Sequence, residues 1–108
     1  MRRRIIRLSV FALLTSSAAA QSGLEPAAQR GLTLARTHCA RCHSIDRVTA
    51  SPLAIAPPFR TLHKKYPVEN LEEALAEGIS TGHPTMPEFR FDPGQVNDFI
   101  SFLKSLER

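Results

Sequence analysis

The sequence has no tryptophan, one tyrosine and only two cysteines in 108 residues. Two cysteines are too few for the disulfide framework that holds many small secreted domains together. No uninterrupted run of about 18 apolar residues is present to form a clear transmembrane helix, and no stretch sustains the period-two alternation of a β-strand. The length allows one domain. A multidomain enzyme and a membrane channel are therefore excluded, and a small helical domain is predicted.

The first twenty residues have the layout of a secretory signal peptide. The basic residues Arg2–Arg4 precede a short apolar stretch, Leu8–Leu14, and the small residues Ala18–Ala20. A basic and a polar residue interrupt the apolar stretch, which argues against the alternative, an uncleaved anchor. We expect residues 1–20 to be cleaved, and residues 21–108 to form a domain exported to the periplasm or beyond, without a transmembrane anchor.

The positive charge of the chain belongs mostly to this segment. The whole sequence has a formal charge of +4, but its first twenty residues contain four basic and no acidic residues. The other 88 residues carry ten charges of each sign and are formally neutral. Nucleic-acid binding requires a basic face that neutralises phosphates, so no nucleic-acid partner is predicted.

Three segments have the residue spacing of amphipathic helices. The first spans about Pro26–Ala40. The second begins at Asn70 as N-cap, with Glu73 completing a capping box, and ends at Gly78. The third begins at Asp92 as N-cap. Its predicted apolar face consists of Val96, Phe99, Ile100, Leu103 and Leu106.

The segments between these helices are long and contain several prolines. Ser44–Glu69 and Ile79–Phe91 show little periodicity, and loops of this length are uncommon in a small domain unless they bind or enclose something. Three short helices alone would form a marginal core. The sequence therefore predicts an all-α domain whose core is completed by another group.

Both cysteines lie in one five-residue motif, Cys39-Ala40-Arg41-Cys42-His43. This is C-x-x-C-H, the attachment sequence for c-type haem. Residues three apart share one face of a helical turn, so both thiols can add to the two vinyl groups of one haem, and His43 then lies under the iron. We expect one haem c, attached covalently through Cys39 and Cys42, with His43 as an iron ligand.

Other interpretations of the motif are weaker. A thioredoxin-like dithiol is expected near a βαβ pattern, which the sequence lacks. A disulfide between residues three apart closes almost no loop and adds little stability. A zinc or copper site formed by the two cysteines, His43 and Met86 is conceivable, but no second Cys/His pair has zinc-finger spacing.

Met86 is the candidate for the sixth iron ligand. It is the only methionine outside the predicted signal peptide. A single methionine is more often core filler, but Met86 lies in a polar segment between Pro84 and Pro87, which restrict the backbone. His83 and His63 are the alternative ligands.

With these motifs in place, the sequence resembles class I monohaem cytochromes c of the small bacterial type over nearly all of residues 21–108. The segments that carry the resemblance are Gly31, Cys39–His43, Ala56–Phe59, Leu71–Gly78, Gly82–Pro87 and the last helix with Phe102. The resemblance implies the cytochrome c fold, three main helices and long loops wrapped around one covalent haem. It also implies a close contact of Gly31 with Phe102.

The resemblance assigns further roles. In the family the ligand histidine donates from Nδ1 to a proline carbonyl, which implies Pro57 here, with Pro58 as the alternative. Arg60, Tyr66 and the pair Lys64–Lys65 are candidates for contact with the haem propionates or with a partner, although an exposed charged residue is the more common role. His38 is expected to be an exposed helix residue.

Iron held by His43 and Met86 has no open coordination position, which predicts an electron carrier and not an enzyme. Its partners would be redox proteins that donate and accept single electrons. The alternatives are a haem-bearing electron-transfer subunit of a larger oxidoreductase complex, a haem-based gas sensor in which Met86 is displaced, and a haem-free metal-binding module.

Overall fold

The computed structural model describes residues 23–79 and 86–108. These residues contain helices and no strand, which confirms the all-α prediction. The helices are α1 (Pro26–His38), α2 (Glu72–Glu77) and α3 (Pro93–Ser105), with short 3₁₀ helices at Phe59–Lys64 and Val68–Leu71. The predicted signal peptide and His83 lie outside the described residues.

Helix α1 begins with Pro26, whose missing N–H costs nothing in a first turn. Its buried face is formed by small residues, Ala28, Gly31 and Ala35. The helix ends at His38, slightly earlier than the predicted boundary at Ala40. The reason is that the N–H of Ala40 bonds to the carbonyl of Ala35 at 3.0 Å, one residue beyond the α-helical spacing, which closes the last turn.

Helix α2 does not begin as predicted. The proposed N-cap, Asn70, lies inside the 3₁₀ helix Val68–Leu71, where its N–H bonds to the carbonyl of Pro67 at 3.0 Å. An N-cap needs an extended backbone, so the capping box with Glu73 was wrong. The predicted end is confirmed, because Gly78 follows the helix with φ 112°, a conformation that favours glycine.

Helix α3 forms the centre of the core. Asp92 and Gln95 form a reciprocal capping box at its start, with Gln95 N–H donating to Asp92 Oδ1 at 2.8 Å. All five predicted apolar residues of this helix are buried, together with Phe102. They pack with the buried residues Ala35, Cys39, Phe59, Leu62, Val68, Leu75 and Phe91.

Helices α1 and α3 cross closely at Gly31, as the resemblance implied. A Cβ atom at Gly31 would lie 2.0 Å from the carbonyl oxygen of Asp98 and 2.6 Å from Cβ of Phe102. Beside the crossing, Arg30 donates two hydrogen bonds to the carboxylate of Asp98, from Nε at 2.9 Å and from Nη2 at 3.0 Å. The absent side chain thus sets the distance between the two longest helices.

Replacement of Gly31 by alanine should destabilise the haem-loaded protein by about 3 kcal/mol, because the new methyl group meets backbone that cannot move without separating the helices. Denaturant unfolding followed by circular dichroism measures the change. The matched control is Gly23→Ala, whose Cβ would have no atom within 4 Å; it should change stability by less than about 0.5 kcal/mol. Equal stabilities of the two variants would contradict the close crossing.

Candidate functional site

The Cys39–His43 motif forms one tight turn directly after α1. The N–H groups of Cys42 and His43 both bond to the carbonyl of Cys39, at 3.2 and 3.0 Å. The turn places the two cysteines and the histidine on one short piece of chain that is held by helix α1. No disulfide joins the two cysteines; Cys39 is buried and Cys42 is half-buried.

The environment of Cys39 controls its protonation. Burial raises the pKa of its thiol from 9.0 to about 12, because the apolar surroundings disfavour the thiolate. Without an attached cofactor, this sulfur in the packed chain is therefore a protonated thiol at physiological pH.

The ring of His43 is oriented by a single strong contact. Its Nδ1 lies 2.8 Å from the carbonyl oxygen of Pro57. A carbonyl only accepts, so the proton is on Nδ1 and the lone pair of the neutral ring is on Nε2. A histidine that binds a metal through one nitrogen typically donates from the other nitrogen to such a carbonyl, which fixes the ring and raises its basicity.

Aromatic packing restricts the same ring further. The ring centroids of His43 and Phe59 are 4.8 Å apart, and Phe59 meets Phe99 of α3 edge-to-face at 5.8 Å. Phe59 and Phe99 are both buried. The orientation of His43 is thus linked to the helical core as well as to the loop that carries Pro57.

The segment 44–58 folds back onto the motif. The N–H of Leu53 bonds to the carbonyl of Cys42 at 3.1 Å, and the N–H of Phe59 bonds to the carbonyl of Ser44 at 3.0 Å. These bonds bring the chain back to the motif before and after Pro57. The long proline-containing segment is therefore an ordered support for His43.

The sequence interpretation missed the polar residues that organise this segment. Ser44 is the one buried polar residue among those described, and its hydroxyl lies 3.1 Å from Thr49 Oγ1. Asp46 accepts hydrogen bonds from the N–H groups of Val48 and Thr49, at 2.8 and 2.7 Å. The available sequence signal was the run of Ser, Asp and Thr side chains that form local turns.

Arg60, a candidate for propionate contact, binds the segment that follows the motif. Its Nη1 donates to the hydroxyl of Ser44 at 3.1 Å and to the carbonyl of Thr49 at 2.7 Å. It therefore joins the first 3₁₀ helix to the segment beside His43. Of the other candidates, Lys64 and Lys65 are exposed and Tyr66 is half-buried, with its pKa raised by desolvation.

The two candidates for the sixth ligand that the structure describes are in different surroundings. Met86 is half-buried at the start of the second described segment. His63 is half-buried in the first 3₁₀ helix, and its Nδ1 is buried with no hydrogen-bond partner in the described part of the chain. Ligation by Met86 stays a prediction.

The residues of the turn fit a covalently bound haem. Two cysteines three residues apart can reach two vinyl groups, and the adjacent histidine, which donates from Nδ1, can offer Nε2 to iron. Within residues 23–79 and 86–108, no group of three or more His, Cys, Asp or Glu side chains is arranged to hold a metal ion. In the same residues, no helix is long and apolar enough to cross a membrane.

Comparison with known proteins decides the family. A family model described as cytochrome c matches residues 28–107, most of the chain. The chain belongs to the cytochrome c family. This cytochrome c is all-α, carries covalently bound haem c and is a haem electron carrier.

One curated relative of this cytochrome c is cytochrome c-552 from Bradyrhizobium diazoefficiens (strain JCM 10833 / BCRC 13528 / IAM 13628 / NBRC 14792 / USDA 110). The two sequences are 28% identical over 94 residues, which cover 87% of this chain and 88% of the relative. No solved structure matches the chain significantly. The similarity extends over nearly the full length of both proteins.

The Asp46 turn beside the motif should make the stability of this cytochrome c depend on pH. Hydrogen bonds from Thr49 and Val48 lower the pKa of Asp46 from 3.8 to about 2. Its stabilising contribution is complete above about pH 4 and is lost as the pH falls towards 2. Asp46→Asn should therefore be less stable than wild type near neutral pH, and the difference should disappear near pH 2. Denaturant unfolding between pH 2 and 6 measures it; a constant difference would contradict the prediction.

Proposed function

We propose that the chain is an exported monohaem cytochrome c that transfers single electrons between redox partner proteins, with His43 and Met86 as the axial ligands and Cys39 and Cys42 as the attachment points. The observation that carries the proposal is the contact of His43 Nδ1 with the carbonyl of Pro57 at 2.8 Å, next to the two cysteines of the motif. A histidine held in this way presents Nε2 to a metal.

The surroundings of His43 support a role in repeated electron transfer. The haem, when bound, supplies the one-electron chemistry of its iron. The carbonyl of Pro57 holds the proton on Nδ1, and Phe59 packs against the ring at 4.8 Å. These contacts keep the ligand in one orientation in both oxidation states, which limits the rearrangement that accompanies each transfer.

Met86 is proposed as the second ligand because of its chemistry and its position. A thioether favours reduced iron and raises the reduction potential relative to a second histidine. With His43 and Met86 both bound, the iron would offer no free position to oxygen or peroxide. This supports a carrier in preference to an enzyme or a gas sensor.

Export is proposed from the sequence of residues 1–20, with cleavage after Ala20. The neutral charge of the remaining polypeptide leaves no overall field that would select an acidic or a basic partner. Docking would then depend on local surface features and be transient, as in most redox encounters, which bury little area.

Optical spectra and redox titration of the haem-loaded protein test the ligand set. The oxidised wild type should show the weak red charge-transfer band of methionine ligation, and Met86→Ala should abolish it and lower the potential by on the order of 100 mV, within the roughly 0.8 V range that axial ligands span. His63→Ala and His83→Ala, which replace the alternative ligands, should retain the band. A wild type without the band, or Met86→Ala with it, would disprove the assignment.

A second function, a haem-bearing subunit held permanently in an oxidoreductase complex, is favoured by one surface feature. Val48 is 84% exposed, Ile55 64% and Leu53 37%. The bond from Leu53 N–H to the carbonyl of Cys42 places this part of the segment beside the haem-attachment motif. Exposed apolar side chains near a functional site are typical of a protein interface.

Native electrophoresis of an extract from the exporting host, with a stain for haem, separates the two functions. A free carrier should migrate as a small species that matches the purified chain, whose precursor mass is 12.0 kDa. A larger haem-containing species that is lost in Ile55→Ser, while Lys64→Ser retains it, would instead identify a complex subunit.

A further inference from the structure

The chain on the two sides of Met86 is joined by backbone hydrogen bonds. The N–H of Ile79 bonds to the carbonyl of Phe89 at 3.3 Å, and the N–H of Phe91 bonds to the carbonyl of Leu75 at 2.8 Å. Residues 79 and 89 thus form the base of the segment that contains Met86, and this base is attached to helix α2. Any movement of Phe89 would move the base of the segment.

Three aromatic rings meet at this base. The ring centroid of His38 lies 5.9 Å from that of Phe89, with the planes at 22°, and 5.5 Å from that of Phe91, with the planes at 63°. Phe89 and Phe91 are 5.1 Å apart. All three distances lie within the range of attractive aromatic pairs. We call His38, Phe89 and Phe91 the aromatic clasp.

The members of the aromatic clasp are held to different degrees. Phe91 is 4% exposed and also packs against Phe99 of α3 at 5.6 Å. Phe89 is only half-buried, and His38 is exposed as the last residue of α1. Phe91 is therefore fixed by the core, whereas Phe89 lies at the edge of the core and also contacts the rings of His38 and Phe91.

We propose that His38 is a positioning residue for Met86. Its ring packs against Phe89, at the base of the Met86 segment, and its backbone directly precedes Cys39. The clasp thereby fixes one side of the haem site relative to the turn that carries His43. This proposal rests on the proposed ligation of iron by Met86, and it assigns His38 a role that its exposure on the helix does not indicate.

The clasp acts through ring packing, so the imidazole nitrogens of His38 are not required. Loss of the contact between His38 and Phe89, which lies at the base of the Met86 segment, should increase the fraction of molecules in which Met86 is off the iron by about twofold to tenfold, the factor that corresponds to the usual strength of such a pair. His38→Phe keeps a flat aromatic ring and should preserve the wild-type fraction. His38→Ala should increase it.

Imidazole binding to the oxidised, haem-loaded protein measures this fraction. Exogenous imidazole takes the position that Met86 leaves, so its apparent affinity rises in proportion to the open fraction. His38→Ala should bind imidazole about twofold to tenfold more tightly than wild type, and Phe89→Leu should show the same change. Arg36→Ala, an exposed residue in the same last turn of α1, is the matched control and should bind like wild type.

Met86→Ala separates failure of the clasp from failure of the ligand assignment. If Met86→Ala binds imidazole no more tightly than wild type, the proposed ligation is wrong and the clasp proposal falls with it. If Met86→Ala binds more tightly but His38→Ala and Phe89→Leu match wild type, only the clasp is overturned. The clasp is also overturned if His38→Phe behaves like His38→Ala, since ring packing would then have no part in holding Met86.

Discussion

The close approach of helices α1 and α3 at Gly31 is the constraint on which the rest of the structure depends. With a Cβ at this position only 2.0 Å from the Asp98 carbonyl oxygen, the crossing exists only because no side chain is there. The crossing fixes the axis of α1, and the axis fixes the point at which Cys39 leaves the helix. The position of the haem-attachment turn therefore depends on Gly31, two helical turns earlier in the chain.

The second level of organisation comes from the chain that follows the motif. The segment 44–58 has no regular secondary structure, yet it is ordered by the bonds of Asp46 to two N–H groups and of Arg60 to Ser44 and Thr49. The ordered segment places the carbonyl of Pro57 in contact with His43. Side-chain hydrogen bonds order this loop, as backbone hydrogen bonds order a strand in a sheet.

What could be predicted from the sequence depended on the range of the interaction. The cap at Asp92 and the glycine stop at Gly78 are local patterns, and both predictions are confirmed. The cap at Asn70 failed although it is local, because a preceding 3₁₀ turn had already set the backbone there.

Long-range contacts without periodicity could not be predicted. The hydroxyl of Ser44 is buried against Thr49 and Arg60, and no spacing rule connects position 44 to position 60. The expected exposure of His38 is correct, but its contacts with Phe89 and Phe91 depend on how α1 ends and how the later chain returns. The contact of Gly31 with Phe102 was anticipated only through family resemblance.

The burial of Cys39 also bears on the order of events during biosynthesis. Once the chain is packed as described, the thiol at this position is enclosed by the core and stays protonated, while the thiolate is the reactive form of cysteine. Cofactor attachment is therefore favoured before the helices close around the motif. A chain in which Cys39 is still accessible is a better substrate for attachment than the packed domain.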